Sequence, residues 1–263
     1  MDQNTQNNIS IEDYDEEAAH PERYPNKVLT IIGKCFKWAG IALAAVVFVV
    51  MLWRINAMEK IPKEIQTLTV NQATYDAYAA AMSEGKTLKM FRQTKLDPIT
   101  TNDEAYGYFW VADSVIIPDA QQVQLVVRYN SSTLEYLASD FKLGAVPSRD
   151  EEVLALRMRL IEDATPEDPT DNEEEDAWIV HTLTPTGEPR AAQKDVYNFR
   201  RYVFDGVSVG ENIIGVMVDF YYIGATDAES PLGSLYVYYE PASSENVKLT
   251  KNDVAALENF GSK

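Results

Sequence analysis

The sequence predicts a mainly-β protein with one N-terminal transmembrane helix, a short second helix and an antiparallel β-sandwich. Three observations carry that reading. From Trp38 to Trp53 the chain runs sixteen residues without a charge. Beyond Lys86, runs rich in Val, Ile, Tyr, Phe and Thr alternate with period two, separated by clusters of Pro, Gly, Asp and Asn. The regular alternation of helix and strand that a parallel α/β sheet requires is missing, as is any internal repeat.

The apolar run rises about 24 Å at 1.5 Å per residue, short for a hydrocarbon core of about 30 Å. It extends upstream through Val28, Leu29, Ile31, Ile32 and Phe36, interrupted only by Lys34 and Lys37. These two lie on one helix face and can snorkel to the headgroups. Trp38 and Trp53 occupy the positions of an aromatic belt, and Arg54 closes the run. A cleaved signal peptide is the competing reading, but its leading region would be far too long. Cys35 precedes the apolar run rather than following it, which argues against a lipid-modified cysteine.

Arg23, Lys27, Lys34 and Lys37 flank the helix on its N-terminal side, against Arg54, Lys60 and Lys63 beyond it. The positive-inside rule then places the N-terminus in the cytoplasm and the C-terminal domain outside the plasma membrane. The expected organisation is an acidic, disordered cytoplasmic tail over 1–27, a signal-anchor helix over 28–54 and a spacer with a short helix over 55–86. A sandwich over 87–241 and a C-terminal tail over 242–263 complete it.

Within the spacer, Thr69 to Gln72 has capping-box spacing and is followed by ATYDAYAAAMSE and Gly85, a helix closed by its glycine. Such a helix suits packing on the sheets. Nine strands are expected: Thr87–Gln93, Tyr106–Ile117, Val123–Tyr129, Thr133–Leu137, Val153–Glu162, Ala177–Leu183, Tyr197–Val207, Ile213–Ile223 and Ser234–Tyr239. The fifth competes with a helix, because Ser148 and Glu151 have the spacing of a helix start. Strict alternation of Leu154, Leu156, Met158 and Leu160 favours the strand, with Arg157 and Arg159 facing solvent or a neighbouring strand's acids. The last residues hold only a weak amphipathic turn near Asp253 to Phe260.

Composition excludes several classes of function. Acidic residues outnumber basic ones 41 to 23, a net charge of −18. Such a chain repels a phosphate backbone, so nucleic acid is not an expected partner. The first 54 residues hold five basic and seven acidic side chains, which leaves 18 against 34 beyond them, a charge of −16. One cysteine and two histidines preclude an internal disulfide and most zinc chemistry.

The densest motif is Glu167 to Asp176, seven carboxylates in ten residues. Asp168, Asp171, Glu173, Glu175 and Asp176 are calcium-ligand candidates, since hard cations take several oxygens. The spacing departs from an EF-hand, and a solvated loop without cofactor is the expected reading. Catalysis finds little support. His181 sits in an apolar strand, no Gly-x-Ser-x-Gly turn accompanies it, and the phosphate-loop pattern lacks its lysine. A carboxylate pair hydrolysing glycans is the only enzymatic alternative, and no catalytic residue is assigned.

Tyr106, Tyr108 and Trp110 would share one face of a strand, as would Tyr236 and Tyr238. They pack in a core or form an exposed platform for glycan or peptide. Gly40 and Ala44 are spaced for a helix-mediated homodimer in the bilayer. Asn130-Ser131-Ser132 matches a glycosylation sequon, and a long ectodomain without cysteine points to a bacterial envelope.

The arrangement resembles single-pass envelope proteins of Gram-positive bacteria that carry an immunoglobulin-like β-sandwich outside. The likeness is one of architecture and carries over no residue. It implies a non-enzymatic surface protein whose sandwich binds another envelope protein or a glycan. The alternative is an accessory subunit of a transport or secretion complex, recruited through its transmembrane helix.

Overall fold

The structure is a computed structural model that describes residues 27–94, 109–162, 179–208, 213–225, 231–238 and 248–262. The chain divides into two units, residues 1–57 and 58–263, and each is taken by itself. Helix α1 (Lys27–Glu59) is long and apolar enough over Ile31–Glu59 to cross a membrane. Its large apolar side chains, Phe36, Trp38, Leu43, Phe48 and Trp53 among them, are exposed. A helix apolar on all sides needs an apolar surrounding.

The second unit is built on two antiparallel sheets. Sheet A has the order β1 (Phe91–Thr94), β2 (Trp110–Ile117), β3 (Gln122–Asn130), β7 (Tyr197–Asp205), β6 (Arg190–Lys194). Sheet B has the order β5 (Ile179–Leu183), β4 (Leu154–Glu162), β8 (Ile213–Tyr222), β9 (Gly233–Tyr238). One core joins them. Val123, Leu125, Val127 and Phe204 from sheet A meet Leu154, Leu156, Met158, Leu160, Val216, Val218, Phe220 and Val237 from sheet B. The alternation in β4 therefore prevails over the competing helix signal. Glu151 Oε2 instead accepts from the Ser148 backbone N–H at 3.0 Å in a turn ahead of the strand.

Sheet A is also covered on its other face. Helix α3 (Gln72–Ser83) lays Ala77 on Val115, Ile117 and Ala120, together with Leu68, Leu88 and Met90. Ile65, in the single turn α2 (Lys63–Gln66), packs on Val126 and Phe199. The stretch expected as a spacer is thus a layer of the β unit from about residue 61 onward. The N-cap of helix α3 is Asn71, two residues beyond the expected Thr69, with its Oδ1 accepting from the Thr74 N–H at 3.0 Å. Gly85, at φ 69°, ends it through bonds from Gly85 N–H to Met82 O and from Lys86 N–H to Ala81 O, the paired pattern of a left-handed cap.

Two further differences from expectation concern helices. Thr133–Leu137 is no strand but lies in helix α4 (Ser131–Asp140), capped by Asn130 Oδ1 on the Thr133 N–H at 3.0 Å. Leu134 and Leu137, three apart, are buried in the core, a spacing that five residues of sequence do not separate from alternation. The carboxamide of the expected sequon at Asn130 is engaged in that cap.

The C-terminal stretch holds a capped helix, α5 (Lys251–Gly261), rather than a loose tail. Its Leu257 is fully buried, and the Tyr75 ring of α3 lies so close to Gly261 that a Cβ there would collide. The short strand β6 was not anticipated, because Arg-Ala-Ala-Gln-Lys has no β-branched residue.

Candidate functional site

Polar residues on a strand's outward face ordinarily meet water, yet on sheet A they are buried beneath residues 59–74. A bulge in β2 between Val111 and Asp113 sets this arrangement. Val111 faces the inter-sheet core, while Asp113, Val115 and Ile117 turn to the opposite face. There Asp113 meets Arg201 of β7, Nη2 to Oδ2 2.9 Å, with side chains 0% and 1% exposed. Arg92 of β1 adds a two-pronged contact to the same carboxylate at 2.8 and 2.9 Å.

Further guanidinium hydrogens go to the backbone of the covering segment, and Arg201 Nη1 also donates to Gln124 Oε1 at 3.2 Å. Arg201 donates to the carbonyls of Ile65 (2.9 Å) and Gln66 (3.2 Å), and Arg92 to Gln66 (3.2 Å). Arg190 of β6 reaches the carbonyls of Glu64, Thr67 (3.2 Å) and Leu68 (3.3 Å). Lys194 donates to Lys60 O at 3.1 Å and Arg128 of β3 to Glu59 O at 3.4 Å. Five basic side chains from four strands therefore satisfy carbonyls that belong to no sheet ladder.

Side-chain amides and carboxylates complete the clamp. Gln124 accepts from the Thr69 N–H (2.9 Å) and donates to its carbonyl (2.8 Å). Asp205 accepts from Asn71 Nδ2 (3.0 Å) and Gln122 Nε2 (2.8 Å). From the C-terminal helix, buried Asp253 accepts from the Leu68 N–H at 2.9 Å and lies 3.6 Å from Arg92. Hydrogen bonding to Asp113 holds Arg92 above its ordinary pKa. Burial pulls Arg201 below its own, with Asp113 opposing the shift. Both stay charged at neutral pH. With these donors committed to carbonyls and carboxylates, the clamp holds the covering segment on sheet A.

The outer face of sheet B is different. Among the described residues none of its side chains joins the three apolar clusters. Arg159 grips Asp219 at 2.7 and 2.8 Å, as expected for an arginine facing a neighbouring strand's acid, and Ser234 Oγ donates to the same carboxylate at 2.6 Å. Arg157 lies 4.7 Å over the Tyr221 ring, a cation–π contact. Tyr236, 40% exposed, lies across Gly215, where a Cβ would come 2.7 Å from its hydroxyl oxygen. Arginine and exposed tyrosine are residue types enriched at protein interfaces.

The structure separates the residues singled out from sequence. Trp110 is partly buried and takes the Arg128 guanidinium over its ring at 5.0 Å, with Tyr197 on the same cation at 4.8 Å. Tyr236 is exposed on sheet B. Trp38 and Trp53 are exposed on α1, as are Lys34, Lys37 and Arg54. Tyr106, Tyr108, the Tyr238 side chain, and Asp168, Asp171, Glu173, Glu175 and Asp176 lie outside the described residues, as does the His181 side chain. Among the described residues no three His, Cys, Asp or Glu side chains converge on a metal position. The clamp went unread in the sequence because its partners lie up to 185 positions apart. No family model, curated protein or solved structure matches the chain.

Proposed function

We propose that this chain is a single-pass membrane protein, N-terminus in the cytoplasm, whose two-sheet unit lies outside and serves as a non-catalytic binding module for another envelope component. The observation that carries the reading is the contrast between the two outer faces. Sheet A is covered by the chain's own residues and its polar groups are spent internally. Sheet B carries Tyr236 40% exposed, beside Arg157 on the Tyr221 ring and Arg159 on Asp219. The exposed apolar surface of α1 supports a bilayer around it.

The shared core of the two sheets supports a sandwich. Its likeness to immunoglobulin domains lies in the layering and not in the strand order. In those domains the third strand crosses to the second sheet, whereas here β1, β2 and β3 are neighbours in one.

Two experiments test the proposal. Protease added to intact cells should remove a tag placed after Lys263 while a cytoplasmic marker stays whole; protection until permeabilisation would reverse the orientation. A photo-crosslinking amino acid at position 236 should then yield a discrete adduct with an envelope component, absent when the crosslinker is placed at exposed Lys142 on another surface. Identical patterns from both positions would remove sheet B from the binding role. If a swap of Val28–Arg54 for an unrelated membrane helix abolishes the adduct while anchoring persists, recruitment through the helix is the better reading.

A further inference from the structure

One end of the inter-sheet core is polar. Tyr129 of β3 and Asn198 of β7 are register partners on the core face, both fully buried. The Tyr129 hydroxyl and Asn198 Nδ2 make no hydrogen bond to any described group. Around them stand Tyr202, Arg200, Arg149 and Glu152. Buried polar atoms are nearly always paired, so two orphans in one register pair call for an occupant.

The surrounding bonds say what kind. Tyr202 donates to Glu152 Oε1 at 2.5 Å, the Leu154 N–H adds to the same oxygen at 3.3 Å, and Arg200 Nε faces Oε2 at 3.3 Å. Arg200 Nη2 donates to the carbonyls of Arg149, Asp150 and Glu151 at 3.1, 3.2 and 3.2 Å. Arg149 donates to Asn198 Oδ1, Asp195 O and Tyr197 O, each at 3.1 Å. The Glu152 carboxylate and the Arg149, Asp150 and Glu151 carbonyls already accept hydrogen bonds, and both orphans can donate. Two guanidinium groups against one carboxylate leave a charge of +1, with the exposed Asp150 carboxylate turned to Gln193.

We propose that this polar end of the core binds one chloride-sized monovalent anion, held by the Tyr129 hydroxyl and the Asn198 carboxamide in the field of Arg149 and Arg200. A water molecule would meet the two donors but leave the excess charge of the two guanidinium groups uncompensated; an anion meets both. Glu152, 28% exposed, marks the way in. The inference does not depend on where the β unit resides.

The test compares thermal unfolding of the full chain in detergent, in sodium chloride and in sodium gluconate at equal ionic strength. A ligand that binds only the folded state raises Tm by mass action, so chloride should add roughly 3 °C and saturate. Tyr129→Phe with Asn198→Leu should remove the difference, and Tyr129→Phe alone, which keeps the ring, should reduce it. Crystals grown in bromide should show an anomalous peak within hydrogen-bonding reach of Tyr129 Oη and Asn198 Nδ2. Equal Tm in the two salts, a chloride effect that survives in the double variant, or a water in place of bromide would overturn the proposal.

Discussion

Arg201 and Asp113 form an ion pair with no access to solvent, Nη2 to Oδ2 2.9 Å, and the arginine also donates to the Ile65 and Gln66 carbonyls and to Gln124 Oε1. The pair thus joins two neighbourhoods that share no ladder: the centre of sheet A and the segment that lies over it.

Breaking this pair by removing one partner leaves an uncompensated buried charge. Arg201→Leu should cost about 3–5 kcal/mol in urea unfolding. Arg201→Lys, which keeps the charge and loses the fork, should cost less, about 1–3 kcal/mol. In the lysine variant the Leu68 and Thr69 amides should exchange faster than those of β4. Uniform protection across both regions would show that the clamp does not hold the segment.

Asp253 does three jobs with one carboxylate. It caps α5 through the Thr250 N–H at 3.1 Å, takes the Leu68 N–H and faces Arg92. Asp253→Ala should cost about 2–4 kcal/mol, and limited proteolysis should open residues 248–262 first. A cleavage pattern like that of the wild type would separate the helix from the clamp.

Burial pushes the Tyr129 phenol up to about 12, with Glu152 adding to the shift and Arg200 opposing it. An unfolded tyrosine loses its proton near 10. The folded state therefore holds a proton that the unfolded state has released. This contribution to stability is whole below about pH 10 and is lost as the pH rises through about 12. Tyr202, raised in the same direction by burial, has the same sign. Urea midpoints between pH 9 and 12 should fall, and Tyr129→Phe should flatten the fall without abolishing it. An unchanged slope would place the titration elsewhere.

Gly215→Ala puts a methyl where the Tyr236 ring lies. Because that ring is on the surface, it can swing aside, and the cost should be about 1 kcal/mol. Partner capture should fall with the displaced ring while the fold survives, and Tyr236→Ala should recover the stability but not the capture. Full capture by Gly215→Ala would argue against Tyr236 as a contact.

The sequence by itself determined the apolar helix and the β-rich character, because both are written in local periodicity: α1 needs only a long uncharged run. The strand β4 needs only the alternation of Leu154, Leu156, Met158 and Leu160. Tertiary structure decided what local patterns do not encode. Thr133–Leu137 is a helix whose Leu134 and Leu137 are seated in the inter-sheet core, contacts that the local sequence does not show. Arg92, Arg190, Arg201 and Asp253 read as ordinary surface charges until strands distant in sequence brought them to one buried face. A charge is buried only when its partners arrive with it, and the two-sheet fold brings these together.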